Sequence, residues 1–405
     1  MQINNYPNFK SSSLIEILSL RYDTTQHSIL KKLSWKDFIK KKKLSIKKIE
    51  NNLNQSIDLS IGKENPDTIS IALSGGVDSV LALTILKKKF PKTELHGISI
   101  KFSNSTDESK IAKKIANFSR IQHHVLEIDN YLEELPKAIS IIKSPFWDIH
   151  WYYLAKKAKD FSKFLASGDG GDELFGGYTF RYKKFLSLIS DNSKPTEKIN
   201  AYLQCHERDR VPNQNEIFGE KVNYSMKQIH SILLPYFDNP LSPIEQVFLA
   251  DYNGKLLYNF SLLNSKINKY FRIKPIIPLL SNQMIEYSTQ LPSEYKYDNK
   301  KNIGKLPLRE IISKYGMDNF VSKKKLGFSV NTKNLWENYG KKICQEFLLD
   351  SRTVKDGWIN YEWIKNNIKR DDLEINYINK FLGILAFEIW YRIFVTNEMN
   401  PNQKL

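Results

Sequence analysis

Ile69-Ser70-Ile71-Ala72-Leu73-Ser74-Gly75-Gly76-Val77-Asp78-Ser79-Val80-Leu81-Ala82-Leu83-Thr84-Ile85-Leu86 decides the fold of this chain. A short apolar run, Ile69 to Leu73, meets a glycine-rich turn that opens directly onto a second apolar run. The stretch reads as strand, turn, helix. The turn is suited to an anion. Gly75 and Gly76 let backbone N–H groups approach an oxyanion without Cβ interference, Ser74 and Ser79 add hydroxyl donors, and the helix start adds its positive dipole end. Asp78 is the odd residue, since a carboxylate repels a bare phosphate. Its presence implies an intervening cation, and Mg²⁺ bridging it to a nucleotide fits. The loop lacks the Lys-Ser/Thr ending of the Walker pattern, which argues against a P-loop kinase or GTPase.

A second glycine-rich acidic turn follows a second strand-like run. Phe164-Leu165-Ala166 leads into Ser167-Gly168-Asp169-Gly170-Gly171-Asp172-Glu173-Leu174-Phe175-Gly176-Gly177-Tyr178, a density of glycine and acid that packing does not explain. The first loop resembles the pyrophosphate-binding loop of ATP pyrophosphatases, which cleave ATP between its α and β phosphates to adenylate a substrate. Together the two motifs resemble the synthetase domain of glutamine-dependent asparagine synthetase and its relatives, the β-lactam synthetases and lasso-peptide cyclases. Asp169 stands at a position where many members have Glu. It keeps the charge and moves it by about one methylene, enough to alter how an acceptor or amine is held.

Working outward, residues 64 to 180 alternate strand and helix, as a doubly wound parallel sheet requires. Strands are expected over 94–100 and 124–128, and helices over 107–118 and 151–161. The first of these helices places Ile111, Ile115 and Phe118 on one face. His123 and His124 read as a turn leading into a strand, because no third ligand stands at a metal-site spacing. From about residue 181 the chain reads mostly helical, and Leu382 to Arg392 resembles the family's C-terminal core helix. The expected fold is therefore α/β, a doubly wound parallel sheet of the ATP pyrophosphatase type with a largely helical C-terminal part. Residues 1–62 resemble the tail of a glutaminase domain. Residues 63–405 form the synthetase-like unit, with a nucleotide-binding core over 63–180 and a mostly helical part over 181–405.

Two further matches lie downstream. Lys305-Leu306-Pro307-Leu308-Arg309 looks like the family's Lys-x-x-Leu-Arg, and Lys325-Leu326-Gly327-Phe328 looks like its Lys-x-Gly-Phe. The resemblance implies that Lys325 reaches the α-phosphate, where a fixed ammonium stabilises the charge that builds as pyrophosphate leaves. The family's Asp-Arg-x-Ser-Met and Arg-x-Pro-Phe-x-Asp segments are not kept over Leu262–Asn268 and Ile276–Ser281, which points away from free aspartate as acceptor. Members that hydrolyse glutamine begin with a nucleophilic cysteine, whereas this chain has Gln2 and no cysteine before Cys205. The expected nitrogen donor is ammonia or an amine, with a separate glutaminase as one source.

The remaining assignments also follow from the resemblance. Main-chain groups of Leu73 and Ile100 position the adenine side, with Ser167 and Gly168 closing the nucleotide pocket. Ser74, Gly75, Gly76 and Ser79 cradle pyrophosphate, and Asp78 and Asp172 hold Mg²⁺. Asp169 or Glu173 orients or deprotonates the amine. The expected cofactors are ATP and Mg²⁺, and the expected substrate is a small-molecule or peptide carboxylate, adenylated and then joined to nitrogen. Trp147, Asp148, His150 and Trp151, with Tyr178 and Arg181, read either as substrate contacts or as packing.

Composition narrows the classes. The 405 residues are 41% hydrophobic and 12% aromatic, enough for a sizeable core. The two cysteines, Cys205 and Cys344, form no CxxC or metal cluster, which fits a reducing compartment and argues against a sulfur-handling tRNA enzyme. A net charge of +17 raises nucleic acid as a partner, but no RNA-recognition signature accompanies it. The opening residues lack the apolar core of a signal peptide, and the apolar stretch Phe381 to Val395 carries Glu388 and Arg392 and is too short to span a bilayer. A cytoplasmic protein is expected, with no membrane partner. The competing classes are a tRNA-modifying adenylase and a non-catalytic family member.

Overall fold

The computed structural model describes residues 9–102, 109–321 and 330–405. Helices α1 (Ser11–Leu20) and α2 (Ile46–Ile61) precede β1 (Thr68–Ala72). There follow α3 (Val77–Lys89), β2 (Glu94–Phe102), α4 (Ser109–Ser119) and β3 (Gln122–Ile128). Then come α5 (Leu135–Ile142), α6 (His150–Ala158), β4 (Phe164–Ala166), α7 (Gly171–Phe175) and α8 (Thr179–Leu188). The sheet takes its last described strand, β5 (Lys274–Ile276), from much later in the chain.

All five strands are parallel, in the order β3-β2-β1-β4-β5. Ile69, Ser70 and Ile71 are fully buried, as a strand covered by helices on both faces demands. The chain first winds outward from β1 to β2 to β3, then returns past β1 to lay down β4. Helix α3 packs on β1 and α4, α4 packs on β2 and β3, and α6 packs on β1, β2 and β4. The order reverses between β1 and β4, so a crevice opens at their carboxyl ends. Both glycine-rich turns leave the sheet there. The chain is thus a doubly wound α/β fold of the expected kind, helical for most of its remainder.

Three details differ from the sequence reading. The buried seam of α4 is Ala112, Ile115 and Ala116, while Phe118 is 53% exposed and meets the tilted ring of Phe320 with centroids 4.9 Å apart. Strand β3 begins at Gln122, ahead of the expected start at His124, so His123 also lies within it. His123 Nε2 meets Ser99 Oγ at 2.9 Å, and His124 lies on the Phe161 ring with centroids 3.9 Å apart. Finally, β5 interrupts a region expected to be mostly helical.

The amino-terminal helices belong to the same packed core. Lys380 of the C-terminal helix (Ile375–Phe394) donates its ammonium to the carbonyl of Leu18 in α1, and Gly383 faces the Leu18 side chain. Arg21, which ends α1, pairs with Asp148 at 3.1 Å and with Asp209 at 3.4 Å. The C-terminal helix buries Glu388 completely. Its carboxylate accepts from the backbone N–H groups of Arg352 (2.8 Å) and Thr353 (2.9 Å), which open a short helix, and from Arg392. Among the described residues no helix is long and apolar enough to cross a membrane.

Candidate active site at the reversal of strand order

The first turn is closed by its own serines. Ser79 Oγ accepts from the Ser74 N–H at 3.1 Å and lies 3.0 Å from the carbonyl oxygens of both Ser74 and Gly76. Ser74 Oγ in turn accepts from the Gly76 N–H at 3.2 Å. These bonds fix the loop at the start of α3 before any ligand arrives. Leu73, just upstream, donates its N–H to Ile98 (2.9 Å), and its carbonyl accepts from Ser99 Oγ (2.7 Å).

The second turn lies directly on the first. A Cβ at Gly168 would overlap Asp78's Cβ and main chain, and one at Gly171 would overlap its carboxylate. These two glycines therefore serve the contact between the loops, in addition to any ligand. Gly170, at φ +91°, turns the chain into α7, whose first turn carries Asp172 and Glu173.

Lys305 completes the centre. It caps the helix Leu306–Ser313 at φ +60°, and its N–H donates to the Phe175 carbonyl at 2.9 Å. Its ammonium sits 2.5 Å from Asp78 Oδ2 and 2.8 Å from Asp172 Oδ1. Burial pushes this ammonium down, but the Asp172 and Asp78 carboxylates outweigh it and raise its pKa above the usual lysine value. Two carboxylates from different loops thus converge on one positive charge. That donor set fits Mg²⁺, which commonly takes one or two carboxylates and fills its shell with water and phosphate oxygens. Among the described residues no group of three or more His, Cys, Asp or Glu side chains could hold a metal ion on its own.

A cavity of about 220 Å³ lies against this centre. Ser74, Gly76, Asp78, Ser79, Ser167, Gly168, Asp169, Asp172 and Glu173 all line it, joined by His150, Tyr178 and Asn264. Leu73, Gly75 and Ile100 are not among its lining residues. Ile100 pairs with Leu126 inside the sheet. Lys325 and Asp107-Glu108 lie outside the described residues.

The two acids assigned to the amine differ in setting. Asp169 accepts from Asn264 Nδ2 at 3.2 Å. Burial pushes its carboxyl up, against the opposing effects of Ser167, His150 and Asn264. Glu173 is almost fully buried and accepts from the Tyr178 hydroxyl at 2.6 Å, while Arg181 lies 4.0 Å over the Tyr178 ring. The Trp147–Trp151 stretch serves both readings. Trp151 donates to Asn268 at 2.9 Å and Asp148 anchors Arg21, while His150 faces the cavity. Sequence reasoning noticed Lys305 only as part of a motif and missed Asn264 entirely. The lysine's place in Lys-x-x-Leu-Arg was its local signal.

The family model for asparagine synthase matches residues 51–392. The chain belongs to the asparagine synthase family. It is 23% identical to the glutamine-hydrolysing asparagine synthetase 1 of Bacillus subtilis over 397 residues, covering 88% of this chain and 61% of that relative. It is 36% identical over 75 residues to the NH₃-dependent NAD⁺ synthetase of Carboxydothermus hydrogenoformans, covering 18% of this chain and 30% of that one. The chain thus spans less than two thirds of the length of both relatives. Among solved structures, the NMN synthetase of Francisella tularensis aligns with 52% of this chain and 94% of its own at 17% identity, with a TM-score of 0.28.

Proposed function

We propose that this member of the asparagine synthase family is an ATP-dependent, amide-forming ligase. The observation that carries the reading is the convergence of Asp78 and Asp172 on one cation position beside the glycine turn. Asp78 and Asp172 would hold Mg²⁺, which supplies the charge that offsets the phosphates. The Ser74–Ser79 turn holds the pyrophosphate end, and Ser167 and Gly168, which line the cavity, take the nucleoside side, with Leu73 and Ile100 in the sheet beneath them. A substrate carboxylate oxygen bonds to the α-phosphorus as the bond to the β-phosphate oxygen breaks and pyrophosphate leaves. Ammonia or an amine then attacks the acyl carbon. The bond to AMP breaks, and Asp169 or Glu173 takes the proton lost by nitrogen. A separate glutaminase is a fitting source of the ammonia, and the cytoplasm a fitting compartment.

Incubation with ATP, Mg²⁺, a nitrogen donor and a panel of carboxylates is expected to yield AMP and pyrophosphate, resolved by anion-exchange chromatography. Formation of ADP and phosphate would refute the reading. Lys325 carries a second expectation, from its place in Lys-x-Gly-Phe. Lys325→Ala should lower kcat by roughly 10²-fold or more with a much smaller change in the KM for ATP, as the loss of a charge-stabilising donor does. Steady-state kinetics beside Lys323→Ala provide the check, since equal losses would mean that the basic run contributes only bulk charge.

A further inference from the structure

The two edges of the sheet are not alike. β5 is three residues long and contains Pro275, two features that blunt an edge against further pairing. β3, at the other edge, runs over seven residues with neither proline nor glycine, and among the described residues its outer side has no backbone partner. The ladder fixes which groups are left bare. The Leu73 N–H donates to the Ile98 carbonyl at 2.9 Å, so Ile98 turns its main-chain groups toward β1, and by alternation Gly97, Ser99 and Lys101 turn theirs toward β3. Their register partners are His123, Val125 and Glu127. In a parallel ladder each such residue bonds to the neighbours of its partner, which engages Gln122, His124 and Leu126. His123, Val125 and Glu127 therefore point their N–H and C=O groups outward. Val125 is 40% exposed, an apolar side chain at the middle of a bare edge.

Charge is distributed unevenly along this edge. A cavity of about 580 Å³ lies at the carboxyl end of β3, where Glu127, Asp129, Glu133, Glu134 and Asp160 face Lys156 and Lys157. Lys101, 2.9 Å from Glu127, and Lys404, 2.7 Å from Glu133, reduce the excess of acid without removing it, on a chain whose net charge is +17. At the amino end stands Arg120, exposed and at φ +51°. Burial, His124 and Lys113 together push the pKa of His123 down, so Lys113 also stands near this end. A strand basic at one end and acidic at the other complements itself only when antiparallel, which is what a twofold axis imposes. We propose that this protein is a homodimer in which β3 of each copy pairs antiparallel with β3 of the other, about a twofold axis at Val125. Val125 is the midpoint of Gln122–Ile128, so this is the register in which the whole strand pairs. It also points outward, so the two Val125 residues exchange both backbone bonds, and His123 does the same with the partner's Glu127. Just outside the strands Arg120 reaches the partner's Asp129, at the acidic cavity. The sheet becomes continuous across both copies and its bare edge disappears. Since β2 and β1 stand between this edge and the crevice, the inference does not depend on the ligase reading.

The test is sedimentation velocity of the full chain across the micromolar range, with hydrogen exchange read at single amides by mass spectrometry. A species of twice 47.3 kDa should form as concentration rises, and the amides of His123, Val125 and Glu127 should exchange more slowly in it. Val125→Pro removes an outward N–H and leaves the bonds between β2 and β3 in place, so it should raise the dissociation constant of the dimer. Arg120→Asp, an exposed change outside the strand to a residue that tolerates a left-handed backbone, should raise it by about tenfold or more even if the proline variant fails to fold. Combining Arg120→Asp with Asp129→Arg should restore most of the affinity, because the charges are exchanged rather than lost. A chain that stays monomeric throughout would overturn the proposal. So would a dimer that forms undiminished in Arg120→Asp, or one that leaves these amides unprotected.

Discussion

Lys305→Met is expected to cost the Mg²⁺-free protein about 3 kcal/mol or more of unfolding free energy, and added Mg²⁺ is expected to return much of it. The ammonium is the charge on which Asp78 and Asp172 converge, so removing it leaves two half-buried carboxylates facing each other. Breaking a largely desolvated pair from one side is among the more destructive single changes. Methionine keeps an unbranched side chain only one atom shorter, so the loss reports mainly charge rather than packing. The sign of the pH dependence follows from the raised Lys305 pKa. The stabilisation is complete at neutral pH and is lost only as pH rises through the folded value, above the usual lysine range. The gap between wild type and variant should therefore stay constant through neutrality and narrow in strong alkali. Urea unfolding with and without Mg²⁺ is the measurement. An equal deficit under both conditions would show that Lys305 supports the fold independently of any cation bound by the two acids.

Asp78→Ala and Asp172→Ala should have the opposite profile, with turnover lost and stability nearly kept. Each leaves Lys305 with one carboxylate partner, so no charge is orphaned in the resting protein. Each also removes half of the proposed donor set for Mg²⁺. Loss of roughly 10³-fold in kcat/KM corresponds to about 4 kcal/mol of transition-state stabilisation, within the several kcal/mol that a metal on phosphate oxygens supplies. Pyrophosphate release at saturating ATP gives the rate, and Tm without ligands gives the control. Turnover within a few-fold of wild type in either variant would remove that acid from the metal site.

What the sequence disclosed was local. Ile69 to Leu86 and Phe164 to Tyr178 each hold strand, turn and helix within one short span, where apolar runs and glycines read without knowledge of the rest. The fifth strand lacked that advantage. Lys274-Pro275-Ile276 is three residues long and contains a proline, tolerated there because β5 pairs only with β4 and so is an edge strand among those described. The same limit hid the centre of the site. Lys305 meets Asp78 across 227 positions, and Arg21 meets Asp148 across 127, distances at which no spacing rule operates. His150 lay in a stretch that the sequence left open between packing and substrate contact, and only the fold turned it toward the cavity.

The clasp between α1 and the C-terminal helix bears on how the molecule is made. Leu18 and Lys380 are separated by 362 residues. At about 5–20 residues per second, a ribosome needs roughly 20–70 s to synthesise the interval. For that time the part of α1 that packs on the C-terminal helix lacks its partner. The sheet is delayed in the same way, because its edge strand emerges about a hundred residues after β4. Nascent chains of this protein should therefore need holding by chaperones until late in translation, and premature termination within the last helix should release aggregates rather than a smaller folded enzyme.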